Sequence, residues 1–145
     1  MRGKYTKNEA SKTIWYCTLV QRWIPGKGKR IELLVVTPDS VDSQPITGID
    51  DIPLTVAKVM REAYNELDLF QRPVEIRTND SRLAPDLTTH LRGVECEARY
   101  QAYWVRLEIA KRAMDTMYGL GGSTYLCDVA EQRRKAIGAR DSDVA

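Results

Sequence analysis

The stretch RPVEIRTNDSRLAPDLTTHLRG, residues 72–93, contains a strand, a short connection and a helix in that order. VEIRT, residues 74–78, has the β-branched and alternating character of a strand. Leu83, Leu87 and Leu91 then recur at helical spacing, and Gly93 follows where helices commonly end in a left-handed residue. This strand–helix unit indicates an α/β protein.

The sequence on either side of this unit supplies the rest of a sheet. TIWYCTLVQRWI (13–24) and IELLVVT (31–37) predict two strands, joined by PGKGKR (25–30) as the turn of an antiparallel hairpin. A short third strand is predicted around residues 44–49. Helical periodicity after Asp51 predicts a helix over residues 53–67, and VECEARY (94–100) predicts another strand.

Two helices are predicted at the C-terminal end. The longer covers residues 101–118, and Ser123 is predicted to cap the shorter one. The predicted inward stripe of the longer helix consists of Tyr103, Trp104, Leu107, Ala110, Met114 and Met117. The fold class is therefore α/β, with a mixed sheet in which an N-terminal antiparallel hairpin precedes β-α-β-α-β units and two C-terminal helices.

Size and composition predict a single domain over residues 1–145, with flexible tails at 1–11 and 139–145. No apolar run approaches the roughly 18 residues that a membrane span needs, and the basic N-terminus has no apolar segment typical of a secretory signal. Cys17, Cys96 and Cys127 are widely spaced and odd in number, which favours free thiols. A cytoplasmic protein without membrane contact or cofactor is expected.

Charge is distributed unevenly along the chain. Residues 1–30 carry eight basic residues against Glu9 alone, a net charge of +7, whereas residues 31–70 carry a net charge of −6. Such blocks either face each other in the fold or form surfaces of opposite sign. They allow a basic surface for nucleic acid, or a surface for a protein partner.

The element order resembles that of the ribonuclease H-like fold over roughly residues 12–118, in which three antiparallel strands precede the first helix. Active members of that family hold two metal ions with carboxylates from the first strand, the first helix and the end of the fourth strand. The resemblance implies that Glu62 or Glu66 and Asp80 are the metal candidates. The first strand contains no acid, so the predicted domain is degenerate and non-catalytic, and Asp80 is interpreted as the cap of the next helix.

A second resemblance is local. The pattern RPxxIxxxDxxLAxxLxxxLxGV, at residues 72–94, looks like that of uncharacterised bacterial domains that are often joined to zinc-binding segments. This chain has no such zinc segment. Because that family has no known activity, the resemblance supports a fold and no function, and a bacterial or phage source is expected.

The basic hairpin is the main candidate site. Its glycines and lysines lack the spacing of a phosphate loop, but the hairpin could bind the phosphates of RNA or DNA and stack an aromatic ring on bases. The predicted nucleic-acid-binding residues are Lys12, Arg22, Trp23, Lys27, Lys29 and Arg30. Two alternatives stay open: a protein-interaction or self-associating module, and a metal-dependent nuclease with an incomplete carboxylate set.

Overall fold

The first strand, β1 (Ile14–Ile24), forms the centre of the sheet because its side chains are buried on both faces. The computed structural model describes residues 13–46, 51–118 and 122–129. The predicted flexible tails, Lys12 and most of the predicted last helix lie outside these residues.

The predicted α/β fold with a mixed sheet is confirmed. β1 pairs antiparallel with β2 (Gly28–Val36), which pairs antiparallel with β3 (Val41–Pro45). On its other edge β1 pairs parallel with β4 (Glu75–Thr78), and β4 pairs parallel with β5 (Glu97–Tyr100). The strand order is therefore β3-β2-β1-β4-β5.

Helices cover both faces of this sheet. The helix α1 (Ile52–Glu66) is capped by the Asp51 carboxylate, which accepts a bond from the Leu54 N–H at 3.1 Å, and α2 (Ala84–His90) follows β4. Both pack into one apolar core with the odd-numbered side chains of β1. The third helix, α3 (Val105–Tyr118), packs on the opposite face, against Tyr16, Leu34 and Val36.

Aromatic contacts fix the start of α3. The Trp104 indole N–H donates to the Thr78 carbonyl at 3.1 Å, and its ring meets the Tyr16 ring edge-on at 5.7 Å between centroids. The Arg77 guanidinium lies 4.7 Å from the Trp104 centroid. The tryptophan therefore joins α3 to both β1 and β4.

The predicted boundaries of the hairpin turn and of β3 were wrong. The hairpin turn occupies only residues 25–27, because Gly26 and Gly28 adopt φ of 79° and 86°, so Lys29 and Arg30 belong to β2. β3 starts at Val41, earlier than predicted, because the Thr37 hydroxyl accepts the Asp39 and Ser40 N–H groups and tightens the preceding turn.

Ser123 does not cap a helix. It starts a short strand, β6 (Ser123–Tyr125), which pairs antiparallel with Val20–Arg22 of β1, and residues 126–129 are helical. Because β2 takes the other edge of β1, β6 lies on the same edge as β4 and continues beyond the point where β4 ends.

The predicted inward stripe of α3 is correct only in part. Leu107, Ala110 and Met114 are buried, but Tyr103 and Met117 are 58% and 73% exposed. The tryptophan contact sets the helix rotation, and that rotation turns other apolar side chains outward.

Among residues 13–46, 51–118 and 122–129, none of the helices has the length and hydropathy that a bilayer span requires.

Leu87 should be essential to α2, because a seven-residue helix is not stable without packing. The Leu87 side chain is fully buried in the core beneath the helix. We expect Leu87→Ala to lower the free energy of unfolding by about 2–5 kcal/mol, measured by urea denaturation. Thr88→Ala, at an exposed position in the same helix, should change it by less than about 0.5 kcal/mol, and equal effects would contradict this role.

Candidate functional site

The tip of the β1–β2 hairpin presents an aromatic ring beside a cation. Trp23 and Lys29 are direct partners in the antiparallel register, so their side chains lie on the same face. Trp23 is 60% exposed, Lys29 is exposed, and Lys27 lies in the turn. The tip therefore brings together three of the predicted nucleic-acid-binding residues.

Arg30 contributes less positive charge to this tip than the sequence suggests. Its guanidinium forms an ion pair with the buried Glu32 carboxylate, and the side chain is 35% exposed. Lys12 lies outside the described residues.

Arg22 must be removed from the predicted nucleic-acid surface. Its side chain is 2% exposed, because the even-numbered residues of β1 face α3. Its Nε donates to Glu32 of β2 at 3.0 Å, and its Nη1 donates to Asp115 of α3 at 2.8 Å. Arg22 is therefore a structural cation that joins two strands and a helix.

The partners of Arg22 belong to a larger polar network. The Ser123 hydroxyl of β6 donates to the Asp115 carboxylate at 2.7 Å, and Lys111 lies 3.3 Å from the same carboxylate. Sequence reasoning missed Glu32 and Asp115, since Asp115 is 93 residues from Arg22. The available signal was a charged residue on the inward side of an otherwise apolar strand.

The network holds its two carboxyl groups in the ionised form. Burial alone would raise the pKa of Glu32, but the hydrogen bonds from Arg22 and Arg30 outweigh it and lower that pKa. Burial also acts to raise the pKa of Asp115, and the bonds from Ser123 and Arg22 again lower it. Both groups therefore stabilise the fold most above their ordinary pKa values and lose that effect in acid.

Asp80 does not cap the next helix, contrary to the sequence interpretation. The N-cap of α2 is Leu83, without a side-chain capping bond. The Asp80 carboxylate is fully buried and accepts bonds from the Arg82 backbone N–H at 3.0 Å and from the Arg82 guanidinium at 2.9 and 2.6 Å. It thus stabilises the turn between β4 and α2 and neutralises an arginine.

Buried residues of β1 and of the connection after β4 lie at the carboxyl end of β4, where α/β sheets commonly bind ligands. The Thr18 hydroxyl of β1 donates to the Asn79 side chain, and both residues are buried. β6 pairs with β1 immediately beyond this point. Thr18, Asn79 and β6 therefore occupy part of this end of the sheet, next to the buried Asp80 carboxylate.

The metal candidates do not form a carboxylate cluster. Glu62 and Glu66 are exposed on α1, and Asp80 is engaged by Arg82. Within residues 13–46, 51–118 and 122–129, no group of three or more His, Cys, Asp or Glu side chains is arranged to hold a metal ion.

Cys17, Cys96 and Cys127 are free thiols. Burial raises the pKa of Cys17 to about 12 and that of Cys127 to about 11. Both thiols are therefore protonated near neutral pH.

Comparison with known proteins provides a fold relationship and no family. No family model matches the sequence, and no curated protein matches it. Among solved structures, the chain is similar to one chain of a complex described as a "simian T-cell lymphotropic virus intasome in complex with PP2A regulatory subunit B56 gamma", with 12% identity and a TM-score of 0.53. The match covers 74% of this chain and 41% of that one, so this chain spans well under half of its neighbour's length.

Replacement of Arg22 should destabilise the protein and change its response to acid. We expect Arg22→Met to lower the free energy of unfolding by about 3 kcal/mol. This is the lower end of the range for breaking a buried ion pair, because Arg30 and Lys111 still face the two carboxylates. Their pKa values should rise towards normal, so the loss of stability between neutral pH and about pH 3.5 should be smaller in the variant. Urea denaturation at both pH values measures this. Arg99→Met, at a 59% exposed arginine, is the control, and an equal cost there would refute the assignment.

Asp80→Asn should separate the turn bond from the ion pair. The asparagine oxygen can still accept the Arg82 backbone N–H, but the charge-assisted bonds to the guanidinium weaken. We therefore expect a loss of about 1–2 kcal/mol in the free energy of unfolding, measured by thermal or urea denaturation. Asp68→Asn, at an exposed position, should be neutral. A neutral Asp80→Asn would show that the buried pair contributes nothing.

Proposed function

We propose that this chain is a non-catalytic nucleic-acid-binding domain that uses the tip of its β1–β2 hairpin. The observation that carries the proposal is the exposed Trp23 ring with Lys29 directly across the hairpin from it. Lys27 adds a second exposed cation in the turn. An aromatic ring with adjacent cations can stack on a base and bind the neighbouring phosphates.

The geometry favours single strands over duplexes. A base can stack on Trp23 only when it is not already stacked within a double helix. Two lysines also give a small electrostatic contact, suited to a few phosphates, because Arg30 pairs with Arg22 on the other face of the hairpin. RNA and DNA single strands are both candidate ligands.

A degenerate ribonuclease H-like fold is part of the same proposal. Its support is the strand order β3-β2-β1-β4-β5, with the first three strands antiparallel and β4 and β5 parallel to β1. Metal-dependent cleavage is the weaker alternative, because the buried polar residue of β1 beside the end of β4 is Thr18, which has no carboxylate. Three free thiols support a reducing location such as the cytoplasm.

The hairpin lysines are tested by Lys27→Ala with Lys29→Ala. We expect the double variant to bind a fluorescein-labelled single-stranded oligonucleotide more weakly, with the slope of log affinity against log salt reduced by about 1.4 for two lost phosphate contacts. Trp23→Ala should cost about 1–3 kcal/mol of binding energy, while Trp23→Phe retains most of it. Fluorescence anisotropy with RNA and DNA at several salt concentrations measures both effects.

The matched control is Lys58→Ala with Arg92→Ala, which removes two exposed positive charges elsewhere. It should leave the salt dependence almost unchanged. If the control variant bound the oligonucleotide as weakly as the hairpin variant does, the affinity would depend on net charge and not on the hairpin tip. The absence of binding to either RNA or DNA at low salt would disprove the proposed function.

A further inference from the structure

We propose that the outer side of α3 and the turn between β2 and β3 form a docking surface for a second copy of this chain. The surface, called here the α3 face, consists of Val105, Arg106, Ile109 and Ala113 on the helix and of Asp39 and Val41 on the other side of a groove. This inference is independent of nucleic-acid binding by the hairpin.

The α3 face exposes more apolar surface than a solvent-facing helix needs. Val105 and Ile109 are 58% and 61% exposed and lie one turn apart, while Val41 across the groove is 38% exposed. The inner side of α3 is already used, since Leu107 and Met114 pack on the sheet. Two apolar sides on one helix indicate a second packing partner.

The charges of the α3 face fit a copy of itself. Arg106 and Asp39 line opposite walls of the groove, and within the part of the chain that the structure describes neither forms an ion pair. In a two-fold interface the same patch meets itself, so each Arg106 can face the Asp39 of the other copy. Asp39 would repel nucleic acid, which favours a protein on this surface.

The groove also has room for a reciprocal apolar contact. It has a volume of about 350 Å³, and its floor includes the small side chains of Ala110 and Ala113. An aliphatic side chain from a facing helix can enter it, and Ile109 is the large exposed aliphatic residue of the groove's helical lining. Two copies related by a two-fold axis could thus each insert Ile109 beside the small residues of the other.

The experiment is sedimentation velocity on the full chain under reducing conditions, over a range of protein concentrations. A concentration-dependent dimer is expected. Ile109→Glu should raise its dissociation constant at least about tenfold, and Leu69→Glu, at a 78% exposed leucine outside the groove, should leave it unchanged. Circular dichroism checks that both variants are folded.

A charge exchange identifies the partner as a second copy. Arg106→Asp alone and Asp39→Arg alone should each weaken the dimer, and the double variant should restore it, because each two-fold pair is then rebuilt with reversed signs. A monomer at all concentrations overturns the proposal. A dimer that tolerates Ile109→Glu overturns it as well, and so does a double variant without recovery. Loss of binding to an oligonucleotide too short to reach two hairpin tips, in a monomeric Ile109→Glu variant, would assign the face to nucleic acid instead.

Discussion

The buried guanidinium of Arg22 is the contact on which the arrangement of the sheet and α3 depends. A charge in the protein interior is costly unless hydrogen-bonded counter-charges accompany it. Two of its partners come from different elements, Glu32 from β2 and Asp115 from α3, and Ser123 of β6 joins through Asp115. The hydrogen bonds of this one guanidinium therefore fix the hairpin register, the position of α3 and the pairing of β6 together.

This interaction also divides the basic N-terminal block between interior and surface. Arg22 is buried in an ion pair, and Arg30 is partly neutralised by Glu32. Lys27 and Lys29 remain exposed near Trp23. The electrostatic surface of the hairpin is thus smaller and more local than the net charge of residues 1–30 suggests. In the proposed binding of nucleic acid, such a small tip would rely on stacking as well as on charge.

The fold was largely predictable because periodicity and turn residues are local signals, as in the helix after Asp51 and the strand before Asn79. The site was less predictable because burial of a charge depends on distant partners. Alternation along β1 places Arg22 on the same side as Tyr16 and would have marked it as inward, but nothing local identifies Asp115. The three-residue β6 was missed because its sequence has no strand pattern of its own. It is a strand only because it pairs with β1.

Thr18, Asn79 and β6 lie at the end of β4, the position where many α/β sheets bind ligands. The two proposed surfaces lie elsewhere, near opposite ends of β2, since the hairpin tip precedes Gly28 and the groove begins at Val36. A nine-residue strand separates them by about 25–30 Å. Pairing through the α3 face would therefore leave both hairpin tips accessible, and two linked tips bind one strand more tightly than either alone because the second contact is intramolecular.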